Sequence, residues 1–307
     1  MSGTSGRAAA AGGPEPAVIR RRGLLPLLAL AGCAAPLPEL TAPSAEAEAL
    51  LRASAEAHGL AAFRAIRDLS VSYAGEWPPV IGRLQPVLVD QGFRIRSEER
   101  LLPREGVVAQ AHEGPEGRKQ VVRRPGEVRV WYNGQETPDA ERRAAAALVA
   151  DGYALFLLGP LLLADGRRAL AAELAGAERI TVGGRAFDCD VLRLRAAPGL
   201  GFAAADRFAL FIDRERRLMR RVRFTLEGLA STRGAVAEVD ALTHATLHGV
   251  TWPTRFHERL LRPFPLRVHD WWVTGLDVNR GLTMADLDGP AFSVRAAMPA
   301  AGLAPAG

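Results

Sequence analysis

Leu60-Ala61-Ala62-Phe63-Arg64-Ala65-Ile66-Arg67-Asp68-Leu69-Ser70-Val71-Ser72-Tyr73 changes its period in the middle. Leu60, Phe63 and Ile66 recur every third residue, which puts them on one helical face and predicts a helix over 60–67. From Leu69 the apolar positions alternate with serines, the pattern of a strand with one face buried. Upstream, Ser44 stands where a helix cap belongs, and Glu46 and Glu48 suit the positive end of a helix over 45–58. Gly59 separates the two helices.

Downstream the alternation returns in short runs. Residues 87–89, 93–96, 106–111, 119–124 and 127–132 read as strands. Turn signals divide them: Pro78-Pro79, Asp90-Gln91-Gly92, Gly114-Pro115, Pro125-Gly126 and Asn133-Gly134. Strands about ten residues apart and joined by short turns predict an antiparallel meander. The middle is different. Residues 138–148 read as a helix, and 153–163 form an uncharged run, Tyr153 to Leu163, broken only by Gly159-Pro160. Residues 167–174 read as one or two more helical turns. Strands then resume at 178–182, 188–195, 208–213, 218–225, 236–242, 250–260 and 266–276, two hairpins being marked by Gly183-Gly184 and by residues 214–217. The expectation is an α+β fold with about 10–12 antiparallel strands.

Composition limits the function. The chain has 307 residues, of which 48% are hydrophobic and 24% charged, as in ordinary globular proteins. The net charge of +5 invites a nucleic-acid reading, but the first 32 residues carry +3 of it. Beyond them arginines alternate with acids rather than gathering into a basic patch, so no nucleic-acid partner is expected. No stretch reaches the roughly 18–20 apolar residues of a membrane-spanning helix, which excludes a multi-span transporter.

The start of the chain carries a separate signal. Arg20-Arg21-Arg22 precedes the short apolar run of residues 24–31, and the run ends in Leu30-Ala31-Gly32-Cys33. This resembles the lipobox of bacterial lipoprotein signal peptides. It implies cleavage before Cys33 and acylation of its thiol, an anchor that holds a domain at a membrane without spanning it. Arg21-Arg22-Gly23-Leu24-Leu25 also resembles a twin-arginine export motif, with ordinary secretion as the alternative. The expected organisation is a signal peptide with an N-terminal extension over 1–32, a lipidated cysteine and Pro/Ala linker over 33–44, a folded domain over 45–282 and a poorly ordered tail over 283–307. With Cys33 acylated, Cys189 has no disulfide partner and reads as a buried inert thiol.

The layout resembles the LolA/LolB superfamily of periplasmic lipoprotein carriers over residues 45–276. Three stretches carry the resemblance: 60–71, quoted above; Phe208-Ala209-Leu210-Phe211-Ile212-Asp213 with Leu218-Met219-Arg220-Arg221-Val222; and His248-Gly249-Val250-Thr251-Trp252-Pro253-Thr254. The resemblance implies a strongly curved antiparallel half-barrel, with helices packed on its concave side around an apolar cavity. It implies a lipid, an acyl chain or an acylated protein as partner and, with no aspartate after Cys33, the periplasmic face of the outer membrane. The candidate cavity or lid residues are Trp131, Tyr153, Leu155, Phe156, Leu158, Leu161, Leu162 and Trp252. The alternatives are a structural or interaction lipoprotein with no cavity, and then an envelope enzyme.

Catalytic and metal signatures are lacking. There is no Gly-x-Ser-x-Gly, His-Glu-x-x-His or P-loop, and Gly199-Leu200-Gly201 is not a dinucleotide fingerprint. His244 and His248 lie four apart but straddle a strand end and a turn. His257-Glu258 and His269-Asp270 are neighbours on strands, so their side chains point to opposite faces. Residues 206–207 and the arginines at 214, 216, 217, 220 and 221 read as a solvated hairpin. No metal, cofactor or enzymatic activity is expected.

Overall fold

The computed structural model describes Gly3 and residues 36–164, 166, 169–291 and 297. The chain divides into two compact units, residues 1–32 and 33–307, and the second carries the fold below. The lipobox and Cys33 lie outside the described residues.

Two antiparallel meanders make up one sheet. The first contains β1 (Leu69–Glu76), β2 (Arg96–Leu102), β3 (Val107–Gly114), β4 (Gly117–Arg124), β5 (Glu127–Tyr132) and the two-residue β6 (Gln135–Glu136). The second contains β7 (Ala169–Val182), β8 (Arg185–Ala197), β9 (Asp206–Asp213), β10 (Met219–Thr225), β11 (Val236–Leu247), β12 (Val250–Arg262) and β13 (Leu266–Val278). Their order is β6-β5-β4-β3-β2-β1-β13-β12-β11-β10-β9-β8-β7, so β1 pairs with β13 and joins the meanders, while β6 and β7 remain edges and the sheet does not close into a barrel. The helices are α1 (Ala45–Ala57), α2 (Leu60–Ala65), α3 (Pro79–Leu84), α4 (Pro86–Val89), α5 (Ala140–Leu158), α6 (Pro160–Leu163) and α7 (Met284–Leu287).

One packing fact shows how far the sheet curls. Helix α5 touches β3, β4, β5 and β12. In a flat sheet β5 and β12, six strand steps apart, would be separated by about 29 Å. A helix is only about 10–12 Å across, and one short stretch of α5 reaches distant strands, since Asp151 pairs with Arg123 of β4 while Phe156 packs on Phe224 of β10. The sheet therefore wraps around α5, and register shifts at Ser72/Tyr73 and at Ala241/Thr243 add local bend. Alternation along the strands then sorts side chains between the two faces. Val71, Leu192, Leu210, Ile212 and Val222 join Leu155 and Leu157 of α5 in the concave core. Cys189, Val191, Phe211 and Val236 face the other way and are covered by Leu37. Cys189 is a free, buried thiol, and burial pushes its pKa up to about 12.

The helix at the start of the domain forms as its cap and charges dictate. Ser44 accepts a hydrogen bond from the Ala47 amide at 3.2 Å. Gly59 adopts φ +94°, and a β-carbon there would stand 2.3 Å from the Gly249 carbonyl oxygen, so only glycine fits this corner. Next to it, His58 Nδ1 donates to the Thr251 carbonyl at 2.7 Å, while Nε2 accepts the Met219 amide at 3.1 Å. A neutral imidazole satisfies both partners and clamps the end of α1 to β10 and β12.

The structure corrects several local expectations. Residues 87–89 form α4 and not a strand, because Pro86 starts a turn of helix that Asp90 ends in the left-handed region. Residues 93–95 precede the strand, which begins at Arg96. Residues 97–102 are not among the expected strands, since Arg96-Ser97-Glu98-Glu99-Arg100 shows no apolar alternation, yet β2 lies between β1 and β3 with Glu99 and Arg100 buried. Residues 169–174 belong to β7, not to a helix; their backbone pairs with residues 192–197 of β8. Helix α5 runs on to Leu158, past the expected end at 148, and stops where Gly159 takes φ +45°. The arginine hairpin is not solvated throughout: Asp206, Arg220 and Arg221 are buried, Arg221 and Asp240 pairing through Nε–Oδ1 at 2.5 Å. Residues 36–44, expected as linker, place Leu37 in the convex core and donate the Thr41 and Ala42 amides to Glu173 at 2.5 and 3.1 Å. Beyond Thr283, α7 buries Leu287 against Trp131 and Val107.

Buried ionisable groups make stability depend on pH with a computable sign. Burial lowers His58 to about 4 and His244 to about 3, and holds His112 and His269 well below 6.5. As pH falls through about 6.5, these four protonate in the unfolded chain but not in the folded one, so stability is lost. Burial raises Glu99 and Glu258 to about 7, which acts oppositely and removes stability as pH rises from about 4.5 to 7. Four groups outweigh two below about pH 6.5, and only the two act above it. The urea midpoint should therefore rise from about pH 5 to 6.5 and stop rising near pH 7. A midpoint that declines throughout that range would contradict the assignment.

A second consequence concerns α5. Asp151 accepts from Arg123 Nη2 at 3.0 Å and from the Gly201 amide at 2.8 Å, and both side chains of the pair are about nine-tenths buried. Asp151→Ala leaves a buried guanidinium without its anion and should cost about 3–5 kcal/mol in denaturant unfolding. A loss below about 1 kcal/mol would mean that the pair does not pin the helix.

Candidate functional site: an apolar cavity with a polar end

A cavity of about 500 Å³ lies on the concave side between α5, the α3–α4 segment and strands β10 to β13. That falls within the roughly 300–1,000 Å³ of small-molecule sites. Leu148, Val149 and Phe156 of α5 form one wall, with Phe224 and Ala237 from the sheet facing them. Ile81, Leu84 and Leu88 close the side opposite. Gly152 also lines the cavity; a β-carbon there would meet only the Phe156 ring at 3.6 Å, so the missing side chain keeps the space open. At the rim Leu84 and Phe264 are 49% and 46% exposed, which is unusual for large apolar side chains.

One end of the cavity is polar. Arg94 is 5% exposed. Its Nη1 donates to the Leu88 carbonyl of α4 at 3.1 Å and its Nη2 to Tyr153 Oη at 3.2 Å. The guanidinium lies 4.9 Å from the Trp77 ring centre. Tyr153 Oη, having accepted from Arg94, can donate to His269 Nδ1 at 3.2 Å. His269 is stacked between Trp77 (3.7 Å) and Trp271 (4.8 Å), and Trp271 stacks in turn on Phe256 (4.7 Å). Glu258 faces His269 across the β12–β13 ladder and opens onto the cavity. It is half-buried, and burial lifts its carboxyl to about 7 while Arg94 pulls the other way.

Behind Arg94 lies a space of about 20 Å³, lined by Tyr73, Ser97 and His112 among others. Tyr73 Oη, both ring nitrogens of His112 and Glu99 Oε2 are buried there or beside it without a hydrogen-bond partner among the described residues. Buried polar atoms are usually satisfied, so this cluster is exceptional.

The sequence-derived candidates fall into four places. Tyr153 and Phe156 line the large cavity. Leu158 and Leu162 line a second cavity of about 370 Å³, on the other flank of α5, beside Phe202 and the Arg123–Asp151 pair. Leu155, Leu161 and Trp252 are buried in the main core, Trp252 edge-on to Phe63 at 6.5 Å. Trp131 is on the opposite face of the sheet, under Arg129 at 4.6 Å and against Leu287. Sequence reading misses Arg94 and Trp77 as site residues, and it sets Glu258 and His269 aside because each is read along its own strand. Arg94 sits in a turn among other charges, and the juxtaposition of Glu258 with His269 follows from strand register. Register also pairs His257 Nδ1 with Asp270 Oδ1 at 2.6 Å, two residues kept apart when each strand is read alone. Among the described residues no group of three or more His, Cys, Asp or Glu is placed to hold a metal ion, and no helix is long and apolar enough to cross a membrane.

No family model and no curated protein matches the chain. Solved structures do. A DUF1329 family protein from Desulfovibrio piger is 12% identical, with a TM-score of 0.47, over 81% of this chain and 98% of its own. A LolA superfamily protein from Nitrosomonas europaea is 13% identical, also at 0.47, over 80% of this chain and 98% of its own. A domain from Vibrio parahaemolyticus named for outer membrane lipoprotein sorting is 11% identical, at 0.37, over 79% and 97%. The superfamily that residues 45–276 resemble is thus also named among the structural neighbours. At these identities and scores the functional reading rests on the cavity and not on the likeness.

Proposed function

We propose that the chain is an envelope lipoprotein that takes an acyl chain into the large concave cavity by non-covalent burial. The observation that carries this reading is the cavity itself: about 500 Å³, apolar on most of its wall, polar at one end and rimmed by exposed Leu84 and Phe264. Each methylene moved from water onto that wall is worth about 0.8 kcal/mol. The leader read from residues 20–33 would deliver the chain to the envelope and anchor it through Cys33, at the outer membrane by the sorting rule stated above. Leu37, buried four residues after Cys33, would then keep the domain within about 14 Å of the anchor, since each extended residue spans about 3.5 Å.

The test is mass spectrometry of organic extracts from the Cys33→Ala protein, purified without detergent. A stoichiometric acyl species is expected. Gly152→Leu, which fills the cavity from a helix that tolerates leucine well, should abolish the bound species and the uptake of an apolar fluorescent probe while the fold is kept. Wild-type protein that is empty and takes up no probe would favour an interaction lipoprotein with no ligand. For the anchor, Cys33→Ala should move the protein from the membrane pellet to the supernatant; persistence in the pellet would remove the basis for acylation.

A further inference from the structure

We propose that the ligand of the large cavity is an amphiphile with a single anionic end, a carboxylate or a phosphate, seated against the Arg94 guanidinium. This rests on the acyl-binding reading above and narrows it to a class of ligand.

The first ground is charge. A guanidinium is a cation, and burying one is costly unless an anion accompanies it. Its hydrogen bonds go to neutral acceptors: the Leu88 carbonyl at 3.1 Å, the Val89 carbonyl at 3.5 Å and Tyr153 Oη at 3.2 Å. No carboxylate forms an ion pair with it among the described residues. The contrast with the rest of the molecule is plain, because buried Arg123, Arg220 and Arg221 each hold an aspartate at 3.0, 2.6 and 2.5 Å. Arg94, a buried arginine of the cavity wall, has Glu99 and Glu258 within electrostatic reach but neither in ion-pair contact among the described residues.

The second ground is the rest of the lining. Its other charged groups among the described residues are Arg233, Arg262 and Glu258, so arginines outnumber carboxyls three to one. Among the described residues Glu258 is the only carboxyl on this wall, and burial raises it to about 7, so below that pH its protonated form can donate to an incoming anion. The third ground is polarity. The unpartnered Tyr73 and His112 line the small space behind Arg94, while Leu148, Phe156 and Phe224 give the main cavity an apolar wall. An uncharged hydrocarbon would leave the polar end unmatched, and a cation would meet Arg94 directly. An amphiphile with one anionic end matches both ends.

Trp77 and Tyr153 keep the guanidinium in place. Its centre lies 4.9 and 5.5 Å from their ring centres, and the Leu88 carbonyl fixes Nη1. The group is therefore pre-organised, which reduces the entropy lost when a ligand binds.

The experiment measures displacement of an apolar fluorescent probe from the full chain carrying Cys33→Ala. The competitors are hexadecanoic acid, its methyl ester and hexadecyl phosphate, all below their aggregation limits. The acid or the phosphate should bind at least about tenfold more tightly than the ester, the worth of a charge-assisted hydrogen bond. A stronger acid identifies a fatty-acid site and a stronger phosphate a phospholipid-like headgroup; either supports the proposal. Arg94→Gln should bring the acid down to the level of the ester and leave the ester unchanged, and Arg94→Lys should restore part of the preference. Equal affinity of acid, phosphate and ester for the wild-type site would overturn the anionic end while leaving the acyl cavity standing. If neither the probe nor any competitor binds, the acyl-binding reading fails and this one with it. The comparison of acid, phosphate and ester needs no substitution in the cavity, so the outcome stands even if Arg94→Gln does not fold.

Discussion

The structure depends on the pairing of β1 with β13. Leu69 lies opposite Val278, about two hundred residues away along the chain, and the ladder runs from there to Glu76 opposite Asp270. Without this pairing the molecule would be two separate meanders, each with one apolar face open to water. The joint is reinforced at its end by Asp68. Its carboxylate accepts the amides of Arg280, Gly281 and Leu282 at 2.8, 3.0 and 3.2 Å, and its carbonyl accepts the Asn279 amide at 2.9 Å. A contact so distant in sequence repays its loop-closure entropy only when both meanders bury apolar surface together. Helix α5 provides that shared surface, since it touches strands of both.

The same helix shapes the hollow side. With its concave space filled by side chains alone, a curled sheet this wide would need a very bulky core. Here α5 runs down the middle and leaves unfilled volume on both flanks. Positions 148, 149, 152, 153 and 156 follow the three-to-four spacing of one helical face and border the larger space. Positions 151, 154 and 158 are displaced around the axis and border the smaller one. The uncharged run 153–163 therefore does two jobs: part of it is core, as Leu155, Leu157 and Leu161 show, and part is cavity wall.

Polarity inside the half-barrel is unevenly distributed. Strands β8 to β11 present leucine, isoleucine, phenylalanine and valine to the concave side. Strands β2 to β4 present Glu99, Gln110, His112 and Lys119, all buried, with Lys119 answered by Asp90 at 2.6 Å. Burying that many polar groups is costly unless they are paired or serve a ligand, and several of them are not paired. Arg94 stands at the boundary between the two regions. The position of that boundary, more than the size of the cavity, gives the site its chemical character.

Much of the fold was legible from one dimension because it is set by local physics. Period two predicts strands wherever one face is buried, and β4, β5 and β9 lie where the alternation placed them. Ser44, Gly59 and Gly159-Pro160 mark helix ends by capping and by backbone freedom, and they do so here. The exceptions have causes. The charged strand β2 is interior because its neighbours on both sides supply hydrogen bonds, which outweigh the apparent preference of Arg96–Arg100 for water. Residues 169–174, alanine-rich and helical by propensity, form an edge strand because β8 offers a template. Within the candidate site the sequence pointed to the α5 run, which contains Tyr153 and Phe156. It could not point to Arg94, Glu258 or His269, nor tell Trp131 from Trp252. Which strand lies beside which, and which face of the sheet turns inward, depends on register and curvature between residues far apart. Those are properties of the assembled sheet, whereas periodicity and capping belong to the chain itself.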